Sequence, residues 1–455
     1  MFEKLLADTL RALGDVMGAH GPAVNAAASF TPNDHSIHFF LQLALIILAA
    51  RVVGWLGQKF LGQPQVVGEM IAGVVLGPSL FGLFFPELQA AIFPKETKNM
   101  LYVGAQFGVG LYMFLVGCTL HLDHFKTKAK SAATVSVAGI ATPFVMAALI
   151  TPLLLDVPGL FAEGISQWSA TLFMGACIAL TAFPMLARII NERGLANTSL
   201  GTLSLTAGAF DDAVSWCVLA IVLATFGGGP GIAVIAIVGG VSYAIFMLIF
   251  GKRLLASLGR AVEARGEMSN LVLAITLMLF CLSAFLMDAI GIHAVFGGFL
   301  LGVCMPRGLF VEELKRKVEP LAVVMLLPMF FTYSGLNTRM DMVNSLSLLA
   351  IALGILAVSI LAKLGACWAV ARLSGEDNRT ALGIGALMNS RGLMELIIIN
   401  IGLQKGIIGP TLFSMMVLMA IVTTVMATPL FEAVYGRAAR ARGDLAAVDE
   451  DLATV

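Results

Sequence analysis

The sequence predicts an all-α, polytopic membrane protein of about thirteen transmembrane helices, and three observations carry that reading. Hydrophobic residues make up 59% of the 455 positions and charged residues only 12%, where a soluble domain carries about 25% charged. The apolar residues gather into thirteen runs, most of them close to the length that spans a bilayer core of about 30 Å as a helix. Lysine and arginine alternate in density from one connecting loop to the next, as successive crossings require under the positive-inside rule. Helices are the economical choice because lipid offers no solvent for unpaired backbone groups. The alternating ten-residue strands of a transmembrane barrel are not visible.

The runs cover 38–59, 65–83, 100–120, 131–155, 168–192, 199–226, 231–251, 268–288, 291–305, 318–336, 346–372, 380–403 and 409–434. Residues 1–37 precede them as an extracytoplasmic tail, in which Leu5, Leu6, Leu10, Leu13 and Met17 form one face of a short interfacial helix. Glu3, Asp8 and Asp15 interrupt this stretch and make it a poor signal peptide. Residues 38–434 form the transmembrane domain, and 435–455 form a short cytoplasmic tail. With the C-terminus in the cytoplasm, nineteen of the 28 Lys and Arg fall on the cytoplasmic side and six on the other; Arg51, Lys363 and Arg391 lie inside runs. An odd number of crossings with the N-terminus outside follows, and a bacterial inner membrane is expected. The six cysteines show no CxxC or Cys/His grouping and read as small packing residues.

The chain repeats itself. IAGVVLG (Ile71–Gly77) resembles FGGFLLG (Phe296–Gly302), 225 residues later. YMFLVGCTLHLD (Tyr112–Asp123) resembles FFTYSGLNTRMD (Phe330–Asp341), 218 residues later. The second run thus pairs with the ninth and the third with the tenth. An offset of seven crossings is odd, so the copies stand upside down relative to each other, and inverted-topology repeats of this kind are a device of secondary transporters. The same offset pairs the fifth run with the twelfth. The fifth contains LTAFPMLARII, where Pro184 breaks the helix ladder. The twelfth contains LMNSRGLMELIII, where Asn389, Ser390 and Gly392 interrupt an apolar helix. Two interrupted helices at corresponding positions point to a binding site at their crossing.

Five charges inside the runs need explaining. Asp211 and Asp212 sit side by side near the middle of the sixth run. Each costs about 2.5–3.5 kcal/mol on insertion scales, and the two repel each other unless a cation or a proton joins them. Lys363 lies near the middle of the eleventh run and needs a counter-charge; it is expected to pair with one carboxylate and leave the other for a cation. Arg391 and Glu395, four apart, meet on one helix face and neutralise the crossing helix ends. Thr181 stands one turn from Pro184, either as a ligand or bonded back to its own helix. Glu69 opens the second run as an interfacial anchor or an entrance residue, and His293 at the mouth of the ninth reads as a packing residue.

GAFDDAVSWCVLA, TAFPMLARII, GVVLGPSLFG, IGIHAVFGGFLLG and ALMNSRGLMELIIINIG, taken together, resemble the cation:proton antiporter superfamily over about residues 38–434. The similarity is to the branch of Kef-type potassium efflux proteins, NapA-type sodium/proton antiporters and plant cation/proton exchangers. The resemblance implies an NhaA-like fold and a homodimer in the lipid bilayer, in which a dimer domain holds a mobile six-helix core. That core would take runs three to five with six, and ten to thirteen in part. Asp212 matches the ion-binding aspartate and so the monovalent-cation ligand; Asp211 matches the acidic position before it, and Lys363 the lysine that pairs with it. Thr181, Pro184, Asn389, Ser390, Arg391 and Glu395 would support the crossing. Kef-type and plant members usually carry Gln-Asp or Asn-Asp where this chain has Asp-Asp, so Na+ and K+ both stay open. A Kef-type nucleotide-binding regulatory domain, a cofactor and a nucleic-acid partner are not expected.

The expected function is therefore exchange of Na+ or K+ for protons by alternating access, serving pH homeostasis. A channel would need a continuous polar pore, but the polar residues here concentrate at one depth. A carrier of small organic anions would need a wider and less acidic site. An intramembrane aspartyl protease needs its aspartates on facing helices, whereas neighbours on one helix project about 100° apart; no enzyme activity is expected.

Overall fold

The structure is a computed structural model that describes residues 32–63, 65–119, 129–183, 186, 189–190, 195, 198–226, 230–291, 293–339, 343–436 and 439. The expected N-terminal interfacial helix, Pro184 and most of the expected cytoplasmic tail lie outside the described residues, as does the side chain of Asp212. No named strand occurs among the described residues. Nine of their helices are long and apolar enough to cross a membrane.

The labelled helices are α1 (Pro32–Leu61), α2 (Gln65–Leu76), α3 (Lys98–Thr119), α4 (Ala129–Leu155), α5 (Gln167–Ala179), α6 (Ser199–Phe226), α7 (Pro230–Phe246), α8 (Lys252–Arg265), α9 (Asn270–Ala289) and α10 (Ala294–Cys304). They continue with α11 (Leu309–Leu321), α12 (Leu327–Asn337), α13 (Leu346–Leu373), α14 (Asn378–Met388), α15 (Leu393–Gln404) and α16 (Pro410–Phe431). Single π turns join α7 to α8 at Met247–Gly251 and α11 to α12 at Ala322–Leu326. The seventh run therefore extends well past its predicted end, and the tenth begins earlier. In both cases the added turns are amphipathic and rich in charge, a pattern that hydropathy alone does not count as membrane helix.

The helices sort into two bundles. In one, α4 packs on α5, α6 and α13, and α14, α15 and α16 close around them. In the other, α2 packs on α1 and α12, while α3 packs on α10 and α12 and α9 covers α10. This corrects the expected partition of the core: runs three and ten join runs two and nine, not the bundle that holds the interrupted helices. The reason is steric. A Cβ on Gly335 would stand 1.9 Å from the carbonyl oxygen of Gly73, and one on Gly77 would stand 2.2 Å from that of Gly335. On the other pairing, a Cβ on Gly117 would meet the Phe299 oxygen at 2.2 Å, and one on Gly302 the Phe114 oxygen at 2.2 Å. Backbones this close are open only to glycine, and close approach is how membrane helices gain packing energy without a hydrophobic drive.

Glu69 is also not interfacial. It is buried in α2, 3.9 Å from the half-exposed Arg51 of α1. His293 caps α10, its Nδ1 accepting from the Val295 N–H at 3.4 Å.

Overpacking a tight seam costs about 1–3 kcal/mol. Gly335→Ala should accordingly lower the melting temperature of the detergent-solubilised protein by several degrees. Gly354→Ala, where a Cβ meets nothing within 4 Å, should leave it unchanged; equal melting curves for the two variants would remove the glycine seam as a packing constraint.

Candidate functional site

The site begins where two helices stop. α5 ends at Ala179, and Leu180–Ala182 continue without helical structure. A proline ring excludes the carbonyl four residues before it, and for Pro184 that is Leu180, so the break falls where the sequence requires. α14 ends at Met388, and α15 begins at Leu393 after Asn389–Gly392. The two interruptions meet: the Ala182 N–H donates to the Ser390 carbonyl at 3.0 Å, and the Thr181 hydroxyl reaches the Met388 carbonyl at 3.0 Å.

Asp211 of α6 stands against this crossing, fully buried. Its Oδ1 accepts from Ser136 Oγ of α4 at 2.5 Å. Its Oδ2 accepts from Thr181 Oγ1 at 2.7 Å and from Lys363 Nζ of α13 at 2.5 Å. Lys363 is likewise fully buried and gives a second hydrogen bond, at 2.5 Å, to the Ala179 carbonyl at the end of α5. Four helices thus converge on one carboxylate. Gly139 of α4 makes the space: a Cβ there would lie 2.9 Å from Cys367 Sγ and 3.4 Å from Lys363 Nζ.

Around this pair the remaining helix ends are matched by charge or hydroxyl. Arg391 is fully buried and donates to the Cys177 and Ile178 carbonyls at 2.8 and 2.7 Å, in the last turn of α5. Glu395 lies in the first turn of α15, 3.5 Å from Arg391. That puts a cation at a helix C-terminus and a carboxylate at an N-terminus, as helix dipoles favour. Thr424 of α16 donates to the Arg391 carbonyl at 2.7 Å, and Ser390 Oγ donates to the Leu387 carbonyl at 2.7 Å. Of the residues singled out from sequence, Thr181, Asn389, Ser390, Arg391, Glu395, Asp211 and Lys363 come together at this crossing. Asp212 follows Asp211 on α6. Thr181 does not bond back to its own helix. Ser136, Gly139, Thr424 and the Ala179 carbonyl were not foreseen; a lone Ser or Gly in an apolar helix carries no distinguishing signal.

A family model described as sodium/hydrogen exchanger, transmembrane, matches residues 44–434. The chain belongs to that family. It is 38% identical over 407 residues to the Na(+)/H(+) antiporter NhaS4 of Synechocystis sp. (87% of this chain, 96% of the relative). It is 32% identical to the Cation/H(+) antiporter 19 of Arabidopsis thaliana, covering 87% of this chain but 49% of that protein. It is 29% identical to the Na(+)/H(+)-K(+) antiporter GerN of Bacillus cereus, across 88% of this chain and 96% of the relative. Its fold is similar to the sodium proton antiporter MjNhaP1 of Methanocaldococcus jannaschii, with a TM-score of 0.59 at 15% identity over 88% of this chain and 97% of that one. The chain spans about half the length of several plant and yeast relatives. As a member of this family of monovalent cation:proton antiporters it is an integral membrane protein, and the family consists of transporters, not enzymes.

Removing one partner of a buried ion pair strands the other, at a cost of about 3–5 kcal/mol. Lys363→Met should destabilise the detergent-solubilised protein by that amount in denaturant titrations, and Ser136→Ala by about 1.5–3 kcal/mol. Asp211→Leu combined with Lys363→Met should recover most of the loss. A Lys363→Met protein as stable as the parent would mean that the pair does not hold the crossing.

Proposed function

We propose that the protein is a secondary active antiporter that exchanges Na+ or K+ for protons by alternating access. The observation that carries this reading is the buried Asp211–Lys363 pair at the crossing of two interrupted helices, beside Asp212. A pair that only stabilised the fold would need no second carboxylate next to it. The relatives' names, Na+/H+ and K+/H+ antiporters, support the same reading.

In this proposal, Asp212 takes the cation, and Asp211 holds Lys363 while the site is cation-free. Cation entry disturbs the Asp211–Lys363 pair, and a proton leaves from Lys363 or a carboxylate. The bundle with the interrupted helices then moves against the other in an elevator-like step, and proton return resets it. The empty, doubly ionised site does not cross, because it would carry uncompensated charge through a low-dielectric seam.

The architecture we propose has thirteen crossings in two inverted repeats, paired as a homodimer. Two features support the repeats. The second run's motif packs on the tenth, and the ninth run's motif packs on the third, which is the exchange a pseudo-two-fold axis would produce. The glycines at those seams, Gly77 with Gly335 and Gly302 with Gly117, are also the repeat equivalents of one another under the sequence offsets. Orientation is supported by α8 and α11, which pack together and carry Lys252, Arg253, Arg260 and Arg265 beside Lys315, Arg316 and Lys317. We assign that face to the cytoplasm, the N-terminus to the outside and the protein to a bacterial inner membrane.

The test is cation-triggered proton movement in proteoliposomes loaded with a pH dye. Na+ or K+ should drive saturable exchange, with an apparent KM that rises as pH falls because protons compete for the same carboxylate. Asp212→Asn should abolish exchange; a variant that runs at the parent rate would overturn the proposal. Lys363→Gln should alter coupling or voltage dependence, and no change in either would take Lys363 out of the proton path.

A further inference from the structure

Among the described polar side chains at the crossing, Asn389 has neither a hydrogen bond nor a compensating charge. Asn389 follows Met388 directly at the break and is 1% exposed, yet neither its Oδ1 nor its Nδ2 has a hydrogen-bond partner among the described residues. Its neighbours are all engaged. The Thr181 hydroxyl lies between Asp211 and the Met388 carbonyl, the Ser390 hydroxyl is bonded to Leu387, and the Arg391 guanidinium is bonded to Cys177 and Ile178. Buried carboxamides rarely keep both ends unpaired, because each orphaned end forfeits hydration. Asparagine is favoured at turns because its side chain bonds locally to backbone, but Asn389 makes no such bond, so turn propensity does not account for it. Glu395 also lacks hydrogen bonds to its oxygens, but there Arg391 at 3.5 Å supplies the compensating charge. Asn389 has no such counterpart.

We infer that the Asn389 carboxamide oxygen is a ligand for the partly dehydrated cation, a role that rests on the antiport reading and deepens it. The link to the carboxylates runs through two hydrogen bonds: Asp211 to Thr181, and Thr181 to the Met388 carbonyl that immediately precedes Asn389. A bare alkali ion needs several oxygens to replace its hydration shell, and neutral carbonyl-type oxygens serve that purpose in other ion sites. The amide has a second consequence. A carboxylate accepts either a cation or a proton, so strengthening its charge strengthens both. An amide oxygen coordinates a metal cation and does not take up a proton near neutral pH. Asn389 therefore tilts the competition toward the cation, and its reach helps to decide which cation fits.

The experiment compares the parent with Asn389→Leu, of similar volume and without the oxygen, and Asn389→Ala, in proteoliposomes at fixed pH with Na+ and K+ in turn. Melting temperature with and without each cation gives a second readout, independent of transport. The expected result is a rise of tenfold or more in apparent KM for the preferred cation, a change of at least threefold in the Na+/K+ ratio, and a smaller cation-induced rise in melting temperature. Either variant suffices if the other does not assemble. An unchanged KM and ratio overturns the inference, and so does a lower maximal rate at unchanged KM, which marks a structural role. If the parent itself exchanges neither cation, the antiport reading fails instead, and the two failures are distinguishable.

Discussion

The burial of one ion pair in an apolar medium is the constraint on which the site depends. Asp211 and Lys363 are both fully buried, and removing two charges from water costs several kcal/mol each even after relaxation. Mutual attraction offsets that only when the remaining lone pairs and protons are satisfied. Here the carboxylate collects Ser136, Thr181 and Lys363, and the ammonium finds the Ala179 carbonyl as its second acceptor. These partners come from α4, the end of α5 with the break that follows it, and α13, and the carboxylate itself from α6. A pair that draws on four elements fixes them with respect to one another, so the charge problem and the packing problem have a single solution.

The interrupted helices follow the same logic. A helix end in the membrane exposes carbonyls or N–H groups that lipid cannot satisfy, and one break alone would leave them unpaired. Two breaks laid across each other share the work. α5's last turn gives its carbonyls to Arg391 in the second break and to Lys363 of α13. The end of α14 receives the Thr181 hydroxyl, and the backbone of the second break is bridged to the first and to Thr424. Lys363 is therefore shared between a helix end and a carboxylate. The proposed coupling of protonation to movement would act through this shared contact.

Much of this was legible because the expensive features announce themselves. Adjacent aspartates, a lysine and a proline inside apolar runs all demand a physical explanation, and each of Asp211, Lys363 and Thr181 lies at the crossing. What stayed hidden is cheap in sequence terms. Ser136 and Gly139 are ordinary residues of an apolar helix, and the Ala179 carbonyl belongs to a backbone that every residue has. The division into bundles differs from the expectation for runs three and ten because the partition was carried over from the family resemblance, and no feature of those runs' hydropathy says which helices they pack against. The repeat held the needed clue: its matching glycines lie where backbones of opposite halves touch, and a pattern of small residues says more about partners than any apolar run does.

The two kinds of seam differ in what they permit. Within the bundle of α1–α3 and α9–α12 the closest approaches, Gly73 and Gly77 on Gly335 and Gly117 on Gly302, are glycine against backbone, and such a seam has little freedom of register. Between the bundles the contacts run through side chains. Val66, Val67 and Met70 of α2 share an apolar cluster with Met415, Met416 and Met419 of α16, and methionine repacks with little penalty. Hydrogen bonds across this boundary are also made by side chains: Gln63 to the Val425 carbonyl, Asn400 to Ser334 and Gln404 to Tyr333. Side-chain contacts of this second kind can be exchanged for equivalent ones at a new position more readily than glycine–backbone contacts can, which is what the displacement proposed above would require.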